Sequence, residues 1–256
     1  MNYVSLEHVC SDHTSLQVHH CDANASSVVI WVHGGGWVAG DRRRVRSMPG
    51  FFNKNNILFI SINYPLSYNR ETPLLEVQLN ALKGLNEWLS ENSLIDRYAN
   101  AFNNIAILAH SSGAHLVALA DKTHGWNKSV NTLFLMDSSA YDLESRYLHA
   151  RQKVRRHFDQ LLSLQGMTTQ ESLKILRNYS PALLSTKPHH GNQRNIIIVT
   201  SQRPGALYSA QMLEKSYQVP GYNPSVVKLD WSHEYFPAAI GENKDIDQLI
   251  LSSIRV

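Results

Sequence analysis

The stretch IAILAHSSGAH, Ile105 to His115, runs from an apolar, strand-like segment straight into a turn of small residues. Unbroken runs such as Ile105 to Ala109 are the mark of strands buried on both faces of a parallel sheet. Ala109-His110-Ser111-Ser112-Gly113 then has the Gly-x-Ser-x-Gly spacing with alanine at the first glycine, and Ser112 to Leu119 continues at helical period. A strand that turns this sharply into a helix needs small residues beside the central one, because neighbouring backbone passes close by. It also strains Ser111 and projects its hydroxyl above the sheet. Ser111 is therefore a candidate nucleophile, although the same residues taken alone also suit a serine at a helix N-cap.

Working outward, similar apolar runs recur at wide spacing: Val28 to Val32, Ile57 to Ile62, Leu133 to Met136, Ile196 to Val199 and Val226 to Leu229. Helical patterns fill the gaps. Leu75, Leu79, Leu82, Leu85 and Leu89 step by three or four behind Pro73, and comparable segments lie at about Tyr208 to Tyr217 and Ile246 to Ile254. This alternation predicts an α/β fold with an open, mostly parallel sheet and helices on both faces. The first 25 residues, with Leu16, Val18 and His20 alternating, predict one or two antiparallel edge strands. No linker or repeat divides the chain, so residues 1–256 are expected to form one domain. The long connection over residues 143–194 reads as a helical insertion acting as a lid.

Two further segments carry chemistry. His33-Gly34-Gly35-Gly36-Trp37 follows the run Val28 to Val32, and three glycines there let the backbone turn and bring its N–H groups close to a ligand. Trp231-Ser232-His233-Glu234 follows the last apolar run, where a loop histidine suits a general base. With 13 histidines in the chain, His233 stands out only by its place after the final strand and after the serine.

These three motifs together resemble an α/β hydrolase of the carboxylesterase type with an HGGGW oxyanion motif, close to the hormone-sensitive-lipase-like and kynurenine-formamidase-like groups. The resemblance covers nearly the whole chain. Gly40-Asp41, Asn63-Tyr64-Pro65-Leu66, Tyr141-Asp142-Leu143 and Ser180-Pro181 match intermediate landmarks of those groups. It implies Ser111 as nucleophile, His233 as base, and an oxyanion hole built from the backbone N–H groups of Gly35, Gly36 and Ser112. It further implies a serine hydrolase acting on carboxylic esters of small or short-acyl substrates through an acyl-enzyme. An N-formyl amidase of the kynurenine-formamidase kind is the alternative within the same chemistry, and a non-catalytic ligand-binding protein on the same fold is the alternative outside it.

One position departs from the family pattern. The acid of the triad usually follows the strand corresponding to Ile196 to Val199, but the loop here reads Ser201-Gln202-Arg203-Pro204-Gly205, without a carboxylate. An acid is needed to hold the histidine tautomer. Asp137, which ends the run Leu133 to Met136 one strand earlier, is the expected replacement. Asp142, which also suits a cap, comes second and Asp230 third.

Composition excludes several other classes. Lys and Arg number 24 against 21 Asp and Glu, a net charge of +3, too balanced for a nucleic-acid-binding surface. There is no run of about 18 apolar residues to span a membrane and no signal-peptide pattern at the start. Cys10 and Cys21 are too sparse for a disulfide framework and read as free thiols, which points to the cytoplasm. Neither His19-His20 nor His189-His190 has further ligands at metal-site spacing, so no metal and no cofactor are expected. His110 and His115 read as packing partners, Asp41 to Arg44 as a salt-bridged turn. The basic stretch Arg146 to Arg156 reads as the solvated face of a lid helix, with attraction of anionic substrates as its other reading.

Overall fold

The computed structural model describes residues 4–11, 14–20, 25, 27–66, 73–91, 104–189 and 193–254. Cys21 and His190, named above, lie outside the described residues. The strands, in chain order, are β1 (Val4–Ser11), β2 (Thr14–His20), β3 (Ser27–Val32), β4 (Ile57–Asn63), β5 (Ile105–His110), β6 (Val130–Met136), β7 (Arg194–Ser201) and β8 (Tyr222–Leu229). They form one sheet in the order β1-β2-β4-β3-β5-β6-β7-β8. All pairs from β4 to β8 are parallel, while β1 with β2 and β2 with β4 are antiparallel. The chain thus has the α/β-hydrolase architecture.

The described helices are α1 (Met48–Lys54), α2 (Leu74–Glu91), α3 (Ser112–Thr123), α4 (Leu143–His149), α5 (Gln152–Leu161), α6 (Thr169–Asn178), α7 (Pro204–Ser216), α8 (Tyr235–Ala239) and α9 (Lys244–Ile254). Alternate side chains of a strand point to opposite faces, so a strand covered on both sides must be apolar throughout. β3 shows this directly. Val28, Ile30 and Val32 enter one core, with Leu82 and Leu85 of α2 and Leu116 of α3. Val29 and Trp31 enter the other, with Met48 and Phe52 of α1 and Ile246 and Ile250 of α9.

β8 differs from the expectation of a doubly buried run. It is the last strand of the sheet, and its residues alternate between exposed and half-buried with none fully buried. An edge strand has a neighbour on one side only, and here Tyr222 and Val226 toward one core and Val227 and Leu229 toward the other are only partly covered. The two short helices α1 and α8 had no readable period because each is too brief to show one.

The strand order reverses at β3, which has β4 on one side and β5 on the other. Connections leaving these neighbouring strands diverge and open a crevice at their carboxyl ends, the usual binding position in open α/β sheets. The glycine-rich loop follows β3 there, and Ser111 follows β5.

Candidate active site

Ser111 has φ 54 and ψ −119, in a region that non-glycine residues rarely occupy, and α3 begins at the next residue. Its N–H donates to the Met136 carbonyl (2.8 Å), so the turn is pinned to the end of β6. Gly113 explains the need for a small residue two positions on. A Cβ at that position would lie 2.4 Å from the His33 carbonyl oxygen and 2.6 Å from that of Val32, because the end of β3 passes against the first turn of α3. Ala109, where the pattern has its first glycine, is fully buried, and its methyl is accommodated.

His233 arrives from the loop after β8. Its Nε2 lies 2.9 Å from Ser111 Oγ, and its Nδ1 lies 2.7 Å from Asp137 Oδ2. The imidazole thus bridges the hydroxyl and a fully buried carboxylate. Asp137 follows β6 with φ 46, and its N–H donates to the Val199 carbonyl on β7 (2.7 Å). Its Oδ1 accepts from the N–H (2.8 Å) and hydroxyl (2.7 Å) of Ser201, and its Oδ2 also accepts from the Arg203 guanidinium at 2.5 Å. Burial pushes this carboxyl up, but the hydrogen bonds from His233 and Ser201 and the Arg203 charge outweigh it and hold the group well below the usual carboxylate range.

Arg203 Nη2 also stands 3.2 Å from His233 Nδ1. Two tautomers therefore compete. With the proton on Nδ1, the imidazole donates to Asp137 and leaves Nε2 free to accept from Ser111. With the proton on Nε2, Nδ1 would accept from Arg203 but turn its lone pair toward the carboxylate at 2.7 Å. Carboxylate repulsion favours the first, which is the tautomer a base toward Ser111 needs.

The glycine loop is held from several directions. Tyr64 Oη donates to the His33 carbonyl (2.9 Å), Gln78 Nε2 donates to the carbonyl of Trp37 (2.6 Å), and the Arg42 N–H donates to Asn63 Oδ1 (2.6 Å). Gly35 has φ 134, and its carbonyl accepts the N–H groups of Val38 and Ala39, closing the turn. A Cβ on Gly35 would lie 2.0 Å from the Ala39 carbonyl oxygen. Gly36 (φ 60) lines the cavity in front of Ser111, together with Trp37 and Ser112, and Gly35 precedes it in the same turn. Ser112 is the first residue of α3, where a helix leaves its N–H without an internal partner.

The flanking histidines are structural partners. His110 Nε2 donates to the His233 carbonyl (3.0 Å), with the two rings 4.5 Å apart, and so fastens the loop that carries His233. His115 accepts from Trp37 Nε1 at Nδ1 (3.2 Å) and donates from Nε2 to the Tyr179 carbonyl (2.8 Å), tying the glycine loop to the chain after α6. Both are held neutral, with burial pulling each down to about 4.

The cavity is about 380 Å³ and is bounded by Gly36, Trp37, Ser111, Asp137 and His233 on the sheet side. On the other side α4 and α5 contribute Arg146, Lys153, Val154, His157 and Phe158. The basic stretch is therefore split. Arg151, Lys153 and Arg156 are exposed as expected of a solvated face, but Lys153 also borders the cavity, as does the half-buried Arg146. On α5, Lys153, Val154, His157 and Phe158 share one side of the helix, and Phe158 is buried against Trp37. His157 Nε2 donates to the Gly36 carbonyl (3.0 Å), a link between the insertion and the glycine loop.

Asp142 is not at the imidazole. It caps α4, accepting the Ser145 N–H at 2.9 Å. Asp230 is exposed, and the carboxylate paired with His233 is Asp137. Asp41 forms the anticipated turn with Arg43, at 2.8 Å. Sequence reasoning missed Arg203, because the loop 201–205 was searched for a carboxylate only, and it missed His157, whose signal was its place beside the apolar residues Val154 and Phe158. Among the described residues, no group of three His, Cys, Asp or Glu side chains converges to hold a metal ion, and no helix is long and apolar enough to cross a membrane.

Comparison with known proteins places this geometry in context. No curated protein sequence matches the chain. Among solved structures, a hyperthermophilic esterase from the archaeon Pyrobaculum calidifontis superposes with a TM-score of 0.68 at 17% identity, covering 99% of this chain and 85% of that one. Esterase B from Lactobacillus rhamnosis, inhibited by a tributyrin phosphonate, gives a TM-score of 0.73 at 15% identity over 99% and 84% of the two chains. An esterase from the bacterial hormone-sensitive lipase family gives 0.68 at 17% identity, with 99% and 84% covered. These likenesses establish the fold. The BD-FAE family model matches residues 16–187, a span that takes in the glycine loop, the serine elbow, Asp137 and most of the helical insertion, and by that match the chain belongs to the BD-FAE family.

Proposed function

We propose that the protein is a serine hydrolase that cleaves carboxylic esters of small or short-acyl substrates. The observation that carries this reading is the continuous path Asp137 Oδ2, His233 Nδ1, His233 Nε2, Ser111 Oγ, with separations of 2.7 and 2.9 Å across its two hydrogen bonds, ending in a cavity. Ser111 passes its proton to His233 Nε2 as Oγ attacks the ester carbonyl. The N–H groups of Gly35, Gly36 and Ser112 receive the oxyanion, and Asp137 balances the imidazolium. The imidazolium then protonates the leaving alcohol. Water, deprotonated by the same nitrogen, attacks the acyl-enzyme and releases the acid.

The esterases sharing the fold, one of them inhibited by a C4 tributyrin phosphonate, favour an ester over a formamide substrate. The non-catalytic reading drew its support from the loop 201–205 lacking an acid, and a carboxylate 2.7 Å from His233 removes that ground. Helices α4 to α6 serve in this reading as a lid over the cavity, and two cysteines in the chain suit a cytoplasmic setting.

The test is labelling by a fluorophosphonate probe, with the modified peptide located by mass spectrometry. Label on Ser111, and none on Ser111→Ala, is the expected result, together with loss of 4-nitrophenyl butyrate hydrolysis in the variant. Folded wild-type protein that takes no label would overturn the reading.

A further inference from the structure

The cavity in front of Ser111 is unequally charged. Arg146, Lys153 and Arg203 border it, and the only carboxylate among its lining residues is Asp137, whose oxygens are occupied by Ser201, His233 and Arg203. Arg203 is thereby compensated. Arg146 and Lys153 are not, since among the described residues neither has a carboxylate within ion-pair reach. Arg146 is half-buried, and it stands where a second chamber of about 320 Å³ adjoins the first, lined by Ser139, Ser145, His149 and Tyr208 among others. Asp142, the one carboxylate of that chamber, is turned to the Ser145 N–H.

A half-buried guanidinium has lost part of its hydration, and one without a protein acceptor keeps its five N–H donors for a ligand. Arg146, Lys153 and Arg203 together make the cavity in front of Ser111 hospitable to negative charge. A purely alkyl chain would leave these groups less hydrated and unpaired. Resting on the ester-hydrolase reading, we propose that Arg146 and Lys153 form an anion subsite, and that the substrate is an ester bearing a carboxylate on the part of the molecule that reaches from Ser111 toward the second chamber. A planar carboxylate matches the fork of Arg146, with Lys153 as a second, less directional charge.

Matched ester pairs test this on both sides of the scissile bond: 4-nitrophenyl hemiadipate against 4-nitrophenyl hexanoate, and 4-acetoxybenzoate against 4-methylphenyl acetate. In one of the two pairs the anionic member should have kcat/KM higher by about tenfold or more, with the advantage shrinking as salt is raised. Arg146→Gln and Lys153→Gln should each reduce that ratio, Arg146→Lys should restore part of it, and Arg146→Glu should invert it. Equal or lower turnover of the anionic ester in both pairs, with the neutral esters cleaved, overturns the subsite and leaves the hydrolase reading standing. If no ester of either kind is cleaved, the hydrolase reading fails. The subsite is then judged by binding of the same pairs to Ser111→Ala protein, where equal affinity for charged and neutral members overturns it.

Discussion

Two aspartates are buried at opposite ends of the same pair of strands, and each meets an arginine. At the end where β6 and β7 begin, Asp121 pairs with Arg194 at 2.6 Å, with side chains 0% and 1% exposed. Arg194 also donates to the carbonyls of Val130, Trp126 and Asn127, while Tyr217 donates to the second oxygen of Asp121. Every partner but the half-buried Asn127 is sealed inside, and the cluster holds the strands, α3 and the following turn together. At the end where the same strands finish, Asp137 is equally buried, but its arginine is half-exposed and its remaining donor is an imidazole whose far nitrogen reaches a hydroxyl in a cavity. What sets Asp137 apart, and suits it to the proposed reaction, is that one of its donors has a second nitrogen facing a cavity.

Breaking each cluster at its aspartate should separate the two roles. Asp137→Asn should lose about 10⁴ in kcat, since a neutral amide no longer disfavours the inactive tautomer or balances the imidazolium. Circular dichroism should remain that of the folded protein. Activity within tenfold of wild type would show that His233 works without this acid.

Asp121→Asn should behave in the opposite way. It leaves Arg194 as an uncompensated buried cation, which costs about 3–5 kcal/mol. Urea unfolding should record that loss, while turnover per folded molecule, normalised by fluorophosphonate labelling, stays at the wild-type level. A variant of undiminished stability would mean that the carbonyls around Arg194 suffice to hold it.

Acid titration sharpens the comparison at a smaller scale. His19, His110 and His115 are each brought down to about 4 by burial, so the unfolded chain binds protons at these positions before the folded one does. Stability should fall as pH drops from about 6.5 toward 4, by up to about 1.4 kcal/mol per pH unit for each histidine. The depressed carboxyl of Asp137 acts in a lower window. Its contribution is complete above the ordinary carboxylate range and fades only as pH falls below about 4. Urea midpoints measured across this range should therefore begin to decline near 6.5, and His110→Gln should flatten the upper part of the decline.

Much of this site was legible in the order of the residues. The elbow could be read because a sharp strand-to-helix turn permits few side chains, and the His33 to Trp37 loop because three glycines have little other use. Asp137 was reachable by topology, since parallel neighbours end at one edge of the sheet. Arg146 and Lys153 were not legible as cavity residues. The α5 sequence shows an apolar side through Val154, Phe158 and Leu161, but whether the flanking lysine looks outward or into a cavity depends on what α5 packs against, and that is a tertiary fact. The same holds for His115, whose two nitrogens join Trp37 of the glycine loop to the carbonyl of Tyr179, far later in the chain.

The Ser111 N–H to Met136 carbonyl bond makes Ser111 and Asp137 neighbours on one ladder, as β5 and β6 run in register up to His110 and Met136. Any breathing of the sheet must carry both together, so their separation is as steady as the core itself. The imidazole alone comes from outside this ladder, on a loop beyond an edge strand, whose carbonyl at His233 accepts from His110. The place of His233 beside Ser111 therefore depends on that one loop, and the His110 bond is the tie that joins it to the end of β5.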